Sequence, residues 1–200
     1  MKFTALIFAV LPVVTSAWAP FSIAQGLPIR RSVAKFTDDK IPEDAVTKAA
    51  EAALMAPNHF LSEPTRMYDL GAEAVEKLKG LNEAKAKMFS GVPGWMVFSV
   101  KTEHLDDNNG ISTKLALEDH ATVACAAQNF MQSLTEDGVG SKWMTGALGI
   151  DPTEIMKVAG APEDEKMIGV IWYGMPAKSL TELKAPKRKL SVEDALTKVA

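Results

Sequence analysis

Residues 136–151 read EDGVGSKWMTGALGID, and the fold turns on what this stretch is for. It follows a long helical pattern and precedes a new helix start at Asp151, yet it holds Gly138, Gly140 and Gly146 with Trp143 among them. A helix exit needs one glycine, whose missing Cβ permits the left-handed turn. Three are more than a turn requires, so the segment has a second task.

Upstream, from about Thr113 to Glu136, Val123, Ala127, Phe130, Met131 and Leu134 recur at helical spacing. Apolar residues also fall off that face, which suits a helix in a central or subunit-interface position. Downstream, Asp151-Pro152-Thr153-Glu154 carries an N-cap, a proline at the first helical position and an acid in the first turn. KMIGVIWYG at 166–174 then predicts a central strand, and Ser191 to Asp194 caps a last short helix. Toward the N-terminus, Pro42 and the residues after it predict a helix with Val46, Ala49, Ala50, Ala53 and Leu54 on one face. RMYDL at 66–70 reads as a short strand, followed by an amphipathic helix carrying Leu70, Ala74, Val75, Leu78 and Leu81. GWMVFSVKT at 94–102 has the apolar run and flanking glycine of a buried strand. Helices around a few strands, without regular strand-helix alternation, predict an α+β fold. Neither G-x-G-x-x-G after a strand nor a P-loop is present, so neither phosphate-binding fingerprint is available.

The 200 residues fit one domain with a sizeable core. A hydrophobic fraction of 47% with 24% charged residues belongs to the ordinary globular class, and a net charge of −3 disfavours a polyanion partner. Cys125, the single cysteine, lies in ATVACAAQNF and is expected to be a small buried core residue, with a catalytic thiol as the alternative. His59, His104 and His120 match no metal-ligand spacing, and no metal is expected.

The first seventeen residues, MKFTALIFAVLPVVTSA, have the early lysine, apolar run and small residues of a secretory signal peptide; an N-terminal core strand or anchor helix is the alternative. The next residues, WAPFSIAQG, resemble the junction of plastid-targeted proteins of diatoms and related algae. That resemblance implies a signal peptide at 1–17, a short transit or linker segment at 18–29, a folded domain at 30–200 and a plastid destination, with the secretory pathway as the alternative.

Two basic clusters stand out, Arg30-Arg31-Ser32 and Lys187-Arg188-Lys189. Guanidinium forks suit phosphate oxygens, although either cluster alone also fits a solvated surface. APNHFLSEPT at 56–65 places Asn58, His59 and Ser62 between two prolines, an ordinary polar loop by itself.

Taken in order, RRSVAKFTDDKIPEDAVTKAAEAALMAPNH, then the long helix into GVGSKWMTGAL, then DEKMIGVIWYGMP, then PKRK, resemble the FMN-dependent nitroreductase family in its small single-domain branch. The resemblance spans about residues 30–190. It implies a mixed sheet surrounded by helices, in an intertwined homodimer with two FMN sites at the interface. Arg30, Arg31, Ser32 and Arg188 would hold the flavin phosphate; Trp143, Met144 and Thr145 would lie against the flavin, where glycines let the backbone approach. Met55, Asn58 and His59 would reach the flavin of the partner subunit. NADH or NADPH would deliver hydride to flavin N5, and an acceptor such as a nitroaromatic or quinone would take the electrons, with no protein nucleophile involved. The alternative is a non-catalytic FMN-binding carrier or sensor, or the same fold without a ligand. Glu63-Pro64-Thr65 stands where many relatives read Gln-Pro-Trp, Met144 where close relatives often carry arginine, and the segment before Arg30 is short.

Overall fold

A computed structural model describes residues 27–108 and 110–199. The signal peptide read at 1–17 and most of the 18–29 segment fall outside these residues.

Helix α1, Ala45–Leu54, buries Ala45, Ala49 and Ala53 at four-residue spacing. This smooth stripe allows close contact with α4, Lys114–Glu136, which forms the molecule's central rod. Thr113 caps α4, its hydroxyl accepting from the Ala116 amide at 3.1 Å, and Gly138 ends the exit turn at φ +75°. The expected face of α4 is buried, from Val123 to Leu134. Cys125 is not: it is exposed, against expectation. At about 100° per residue it lies some 200° around the helix from Val123, so apolar neighbours in sequence do not enclose it.

The sheet contains β1 (Thr65–Asp69), β2 (Gly94–Lys101), β3 (Gly140–Met144) and β4 (Glu165–Gly174) in the order β1-β2-β4-β3. All three strand pairings are antiparallel. A parallel bridge from Ser32 to Ser141 makes the assembly mixed, as expected. Strand β3 was not anticipated: the opening stretch forms an edge strand, not only a loop. The short helix α3, Ala86–Ser90, was also not anticipated; α2, Ala72–Leu81, and α5, Pro152–Ala159, lie where their patterns place them. A final helix α6, Val192–Ala195, has the expected reciprocal Ser191–Asp194 capping box.

One sheet face carries Met96, Phe98, Val100, Ile171 and Tyr173 and packs against α1 and α4. The other carries Trp95, Val97, Val170 and Trp172 under Leu78, Phe89 and Ile155 of α2, α3 and α5. Cross-strand neighbours Trp95 and Trp172 pack with centroids 5.1 Å apart and ring planes tilted by 59°. Each indole removes on the order of 200 Å² from water, several kcal/mol of gross stabilisation at roughly 25 cal/mol per Å².

The fold accounts directly for Gly138 and Gly140. Gly138 supplies the helix exit, and a Cβ on Gly140 would lie 2.8 Å from Val33 Cγ2, where residues 32–33 cross β3. A Cβ on Gly146 would meet nothing within 4 Å. Its freedom faces open space beside the sheet edge.

Candidate functional site

Residues 27–29 are helical and lead into the first basic cluster. The chain then crosses β3, with the Val33 amide donating to the Ser141 carbonyl at 2.9 Å. From the opposite end of the sequence, the segment after Leu180–Glu182 returns to the same place. Between them lies a cleft of about 660 Å³, lined chiefly by Arg30, Arg31, Ser32, Leu183, Lys184 and Arg188. None of its lining residues is acidic. Burial lowers the Arg30 pKa first, and the neighbouring Arg31 and Arg188 guanidiniums lower it further. Like charges so gathered call for an anion, most of all beside Arg30, which burial partly desolvates. The buried Ser141 hydroxyl at the crossing has no hydrogen-bond partner. Such a cradle fits a phosphate monoester, a dianion with several acceptor oxygens.

Arg31 differs from the other two arginines. Its Nε donates to the Leu183 carbonyl at 3.1 Å, and Nη1 donates to the carbonyls of Pro28 at 2.6 Å and Arg30 at 2.8 Å. Its guanidinium is therefore largely spent on backbone.

At the end of β3, Trp143 and Met144 point to opposite faces, as alternation along a strand requires. Trp143 packs toward α4, its Nε1 so close to Gly169 that a Cβ there would sit 2.2 Å away. Met144 is buried in the opposite cluster beside Leu148, so its side chain serves the core. Thr145, Gly146 and Ala147 are exposed between those anchors. Lys85 Nζ donates to the Ala147 carbonyl, and Asn82 Nδ2 donates to those of Leu148 and Gly149, both at 3.1 Å. Gly149 sits at φ +66°, and a Cβ there would come within 2.9 Å of Asn82 Nδ2. Sequence reasoning passed over Asn82 and Lys85, which hold this loop in place.

Met55, Asn58 and His59 do not line the arginine cleft. Asn58 lines a separate cleft of about 200 Å³ with Glu63, Arg66 and Thr122, while Met55 is 80% exposed. The Asn58 side-chain Oδ1 accepts from the Glu63 backbone amide at 3.3 Å, and His59 Nδ1 lies 3.4 Å from Glu118 Oε2. The loop is fastened by buried Asp119, which accepts from Ser62 Oγ at 2.7 Å and pairs with His104 Nδ1 at 2.6 Å. Phe60, Leu61 and Glu63 all have positive φ, at 49°, 56° and 45°. One protomer thus brings together Arg30, Arg31, Ser32 and Arg188 and leaves Met55, Asn58 and His59 elsewhere. Glu63 stands exposed in that second group.

A family model described as "Nitroreductase family" matches residues 29–116 and 87–175. The Bacillus subtilis (strain 168) protein YfhC, named as an NAD(P)H nitroreductase, is 24% identical over 187 residues, covering 85% of this chain and 90% of its own. A nitroreductase-like family protein from Bacillus cereus superposes with a TM-score of 0.72 at 23% identity, over 90% of this chain and 96% of that one. A nitroreductase-type structure from Desulfovibrio desulfuricans, solved with FMN, gives a TM-score of 0.69 at 17% identity, over 89% and 96% of the two chains.

Proposed function

Because the chain belongs to the nitroreductase family, we propose that it is an FMN-dependent oxidoreductase, taking electrons from NADH or NADPH and passing them to small acceptors such as nitroaromatics or quinones. The observation that carries this reading is the acid-free cleft in which Arg30, Arg188 and Ser32 face a space sized for a phosphate and its ribityl chain. The Desulfovibrio relative's FMN and the Bacillus subtilis relative's name support the cofactor and the donor.

Bound FMN would supply the hydride chemistry, which no side chain here offers. The chain's own part is binding and orientation. Arg30 and Arg188 neutralise the phosphate, and Ser32 donates a hydroxyl to it. Trp143, half-buried on β3, and the exposed backbone of Thr145 and Gly146 form the wall the ring would meet. Asn82 and Lys85 fix the turn that follows that wall by donating to the carbonyls of Ala147, Leu148 and Gly149. Met55, Asn58 and His59 are proposed to complete the ring end of the site in the partner subunit of a homodimer.

Anaerobic mixing of the FMN-loaded protein with excess NADH or NADPH should bleach the oxidised flavin, and a nitroaromatic or quinone should restore it over repeated cycles. Retained flavin that dithionite reduces but neither nicotinamide does would replace this reading with a carrier or sensor. The leader is proposed as a plastid address, tested with a fluorescent fusion of residues 1–40 in a diatom-like host; uniform cytosolic signal would refute it.

A further inference from the structure

Arg31 stands in the basic cluster like Arg30, but its hydrogen bonds give it another task. Three N–H donations leave its guanidinium for carbonyls, two on its own segment and one across 152 residues at Leu183. Pro28, Arg30 and Leu183 lie on the two chain segments that form the walls of the cleft, or next to it. Leu183 is also the last half-buried residue before a run of exposed ones, Lys184 to Leu190, that includes Arg188. We infer that Arg31 is a positioning residue: it ties the C-terminal segment to the N-terminal one, so that Arg188 is presented to the same phosphate as Arg30. This rests on the FMN reading for its ligand, though the tie itself is a property of the chain alone.

The geometry separates this from a direct role for the Arg31 charge. A planar fork can reach carbonyls in two directions at once, whereas a lysine ammonium is a single point on a flexible stem. A charge-only role therefore survives Arg31→Lys, and a tie does not. A tie also couples Arg31 to Arg188: once the segment drifts, Arg188 has nothing left to lose, so the two losses do not multiply.

The test is FMN and riboflavin titration of the full chain by flavin fluorescence. Arg31→Ala, Arg31→Lys and Arg188→Ala should each weaken FMN about tenfold, the loss of one charge-assisted contact. The Arg31→Ala/Arg188→Ala pair should be no weaker than either alone, Arg188→Lys should retain most of the affinity, and riboflavin, which lacks the phosphate, should bind all variants alike. Wild-type FMN affinity in Arg31→Lys, or losses that multiply in the double variant, would overturn the inference. A second readout needs no cofactor. Trypsin should cut the apo protein faster within residues 184–189 when Arg31 is alanine or lysine, but not when Arg188 is alanine, because the remaining lysines report local opening of the segment. An unchanged cleavage rate in the Arg31 variants sinks the tie even if wild-type protein binds no FMN. That latter result would count against the cofactor reading instead.

Discussion

Tyr68 and Tyr173 are the chain's two tyrosines, and both phenols donate to carboxylates. Tyr68 Oη lies 2.6 Å from Glu165 Oε2, and Tyr173 Oη lies 2.6 Å from Asp69 Oδ1. Burial, and then the Glu165 hydrogen bond, push Tyr68 up to about 12; burial and Asp69 raise Tyr173 further still. The phenolate would lose its donated hydrogen bond and face a carboxylate in poorly hydrated surroundings, so the neutral form is favoured. An unfolded tyrosine ionises near pH ~10. The folded protein should therefore show no tyrosinate absorbance as pH passes 10, while in urea both residues should ionise there. Between about pH 10 and 12 the folded state holds protons that the unfolded state has released, so stability must fall with rising pH across that window. Tyr68→Phe should flatten the fall. A phenol titrating near pH 10 in folded protein would contradict the hydrogen bond given to that tyrosine.

Among the elements, those with a local signal of their own could be read from the sequence. The Asp151-Pro152 pair announces α5 because a cap is written in adjacent residues, and the Asp151 carboxylate does accept from the Thr153 amide at 2.8 Å. The apolar runs of β2 and β4 reflect burial on both faces of a central strand. Strand β3 carried no such sign. It alternates faces, but Lys142 on the Trp172 side lays its stem inward with the ammonium 5.7 Å from the ring centroid, so polarity does not mark the face. Helix α3 spans five residues, too few to hold by propensity, and exists because Phe89 packs edge-on against Trp95 with centroids 5.2 Å apart. The site divides in the same way. Arg30, Ser32 and Arg188 were legible as phosphate-binding residue types, but their meeting across more than 150 residues belongs to the fold. Asn82 and Lys85 were invisible because their partners are backbone carbonyls, which carry no residue identity. The three carbonyl partners of Arg31 were hidden for the same reason.

At the scale of the whole molecule, the proposed flavin site would have its phosphate end in the arginine cleft of the described protomer, with the residues proposed for the ring end on another surface. Leu54, Met55, Phe60 and Leu61 are 63%, 80%, 87% and 79% exposed within eight residues of sequence. A contiguous apolar patch of this kind on a folded chain marks a contact surface. The backbone adds to the argument. Phe60, Leu61 and Glu63 at positive φ cost on the order of 1 kcal/mol each, and the Ser62–Asp119 bond holds them there with the two large side chains turned outward. A second copy of the chain laid on this patch would bury them and carry Met55, Asn58 and His59 to the partner's cleft. The protein should therefore sediment as a dimer, and Phe60→Asp with Leu61→Asp should yield a folded monomer, because neither side chain contributes to the protomer's core. If the partner's residues complete the ring end, the monomer should lose FMN affinity by at least about tenfold. It should lose riboflavin affinity by a similar factor, unlike a change at Arg188, since the missing contacts are to the ring and not the phosphate. A monomer that binds FMN as tightly as the parent would confine the whole site to one chain, and Met55, Asn58 and His59 would then have no part in it.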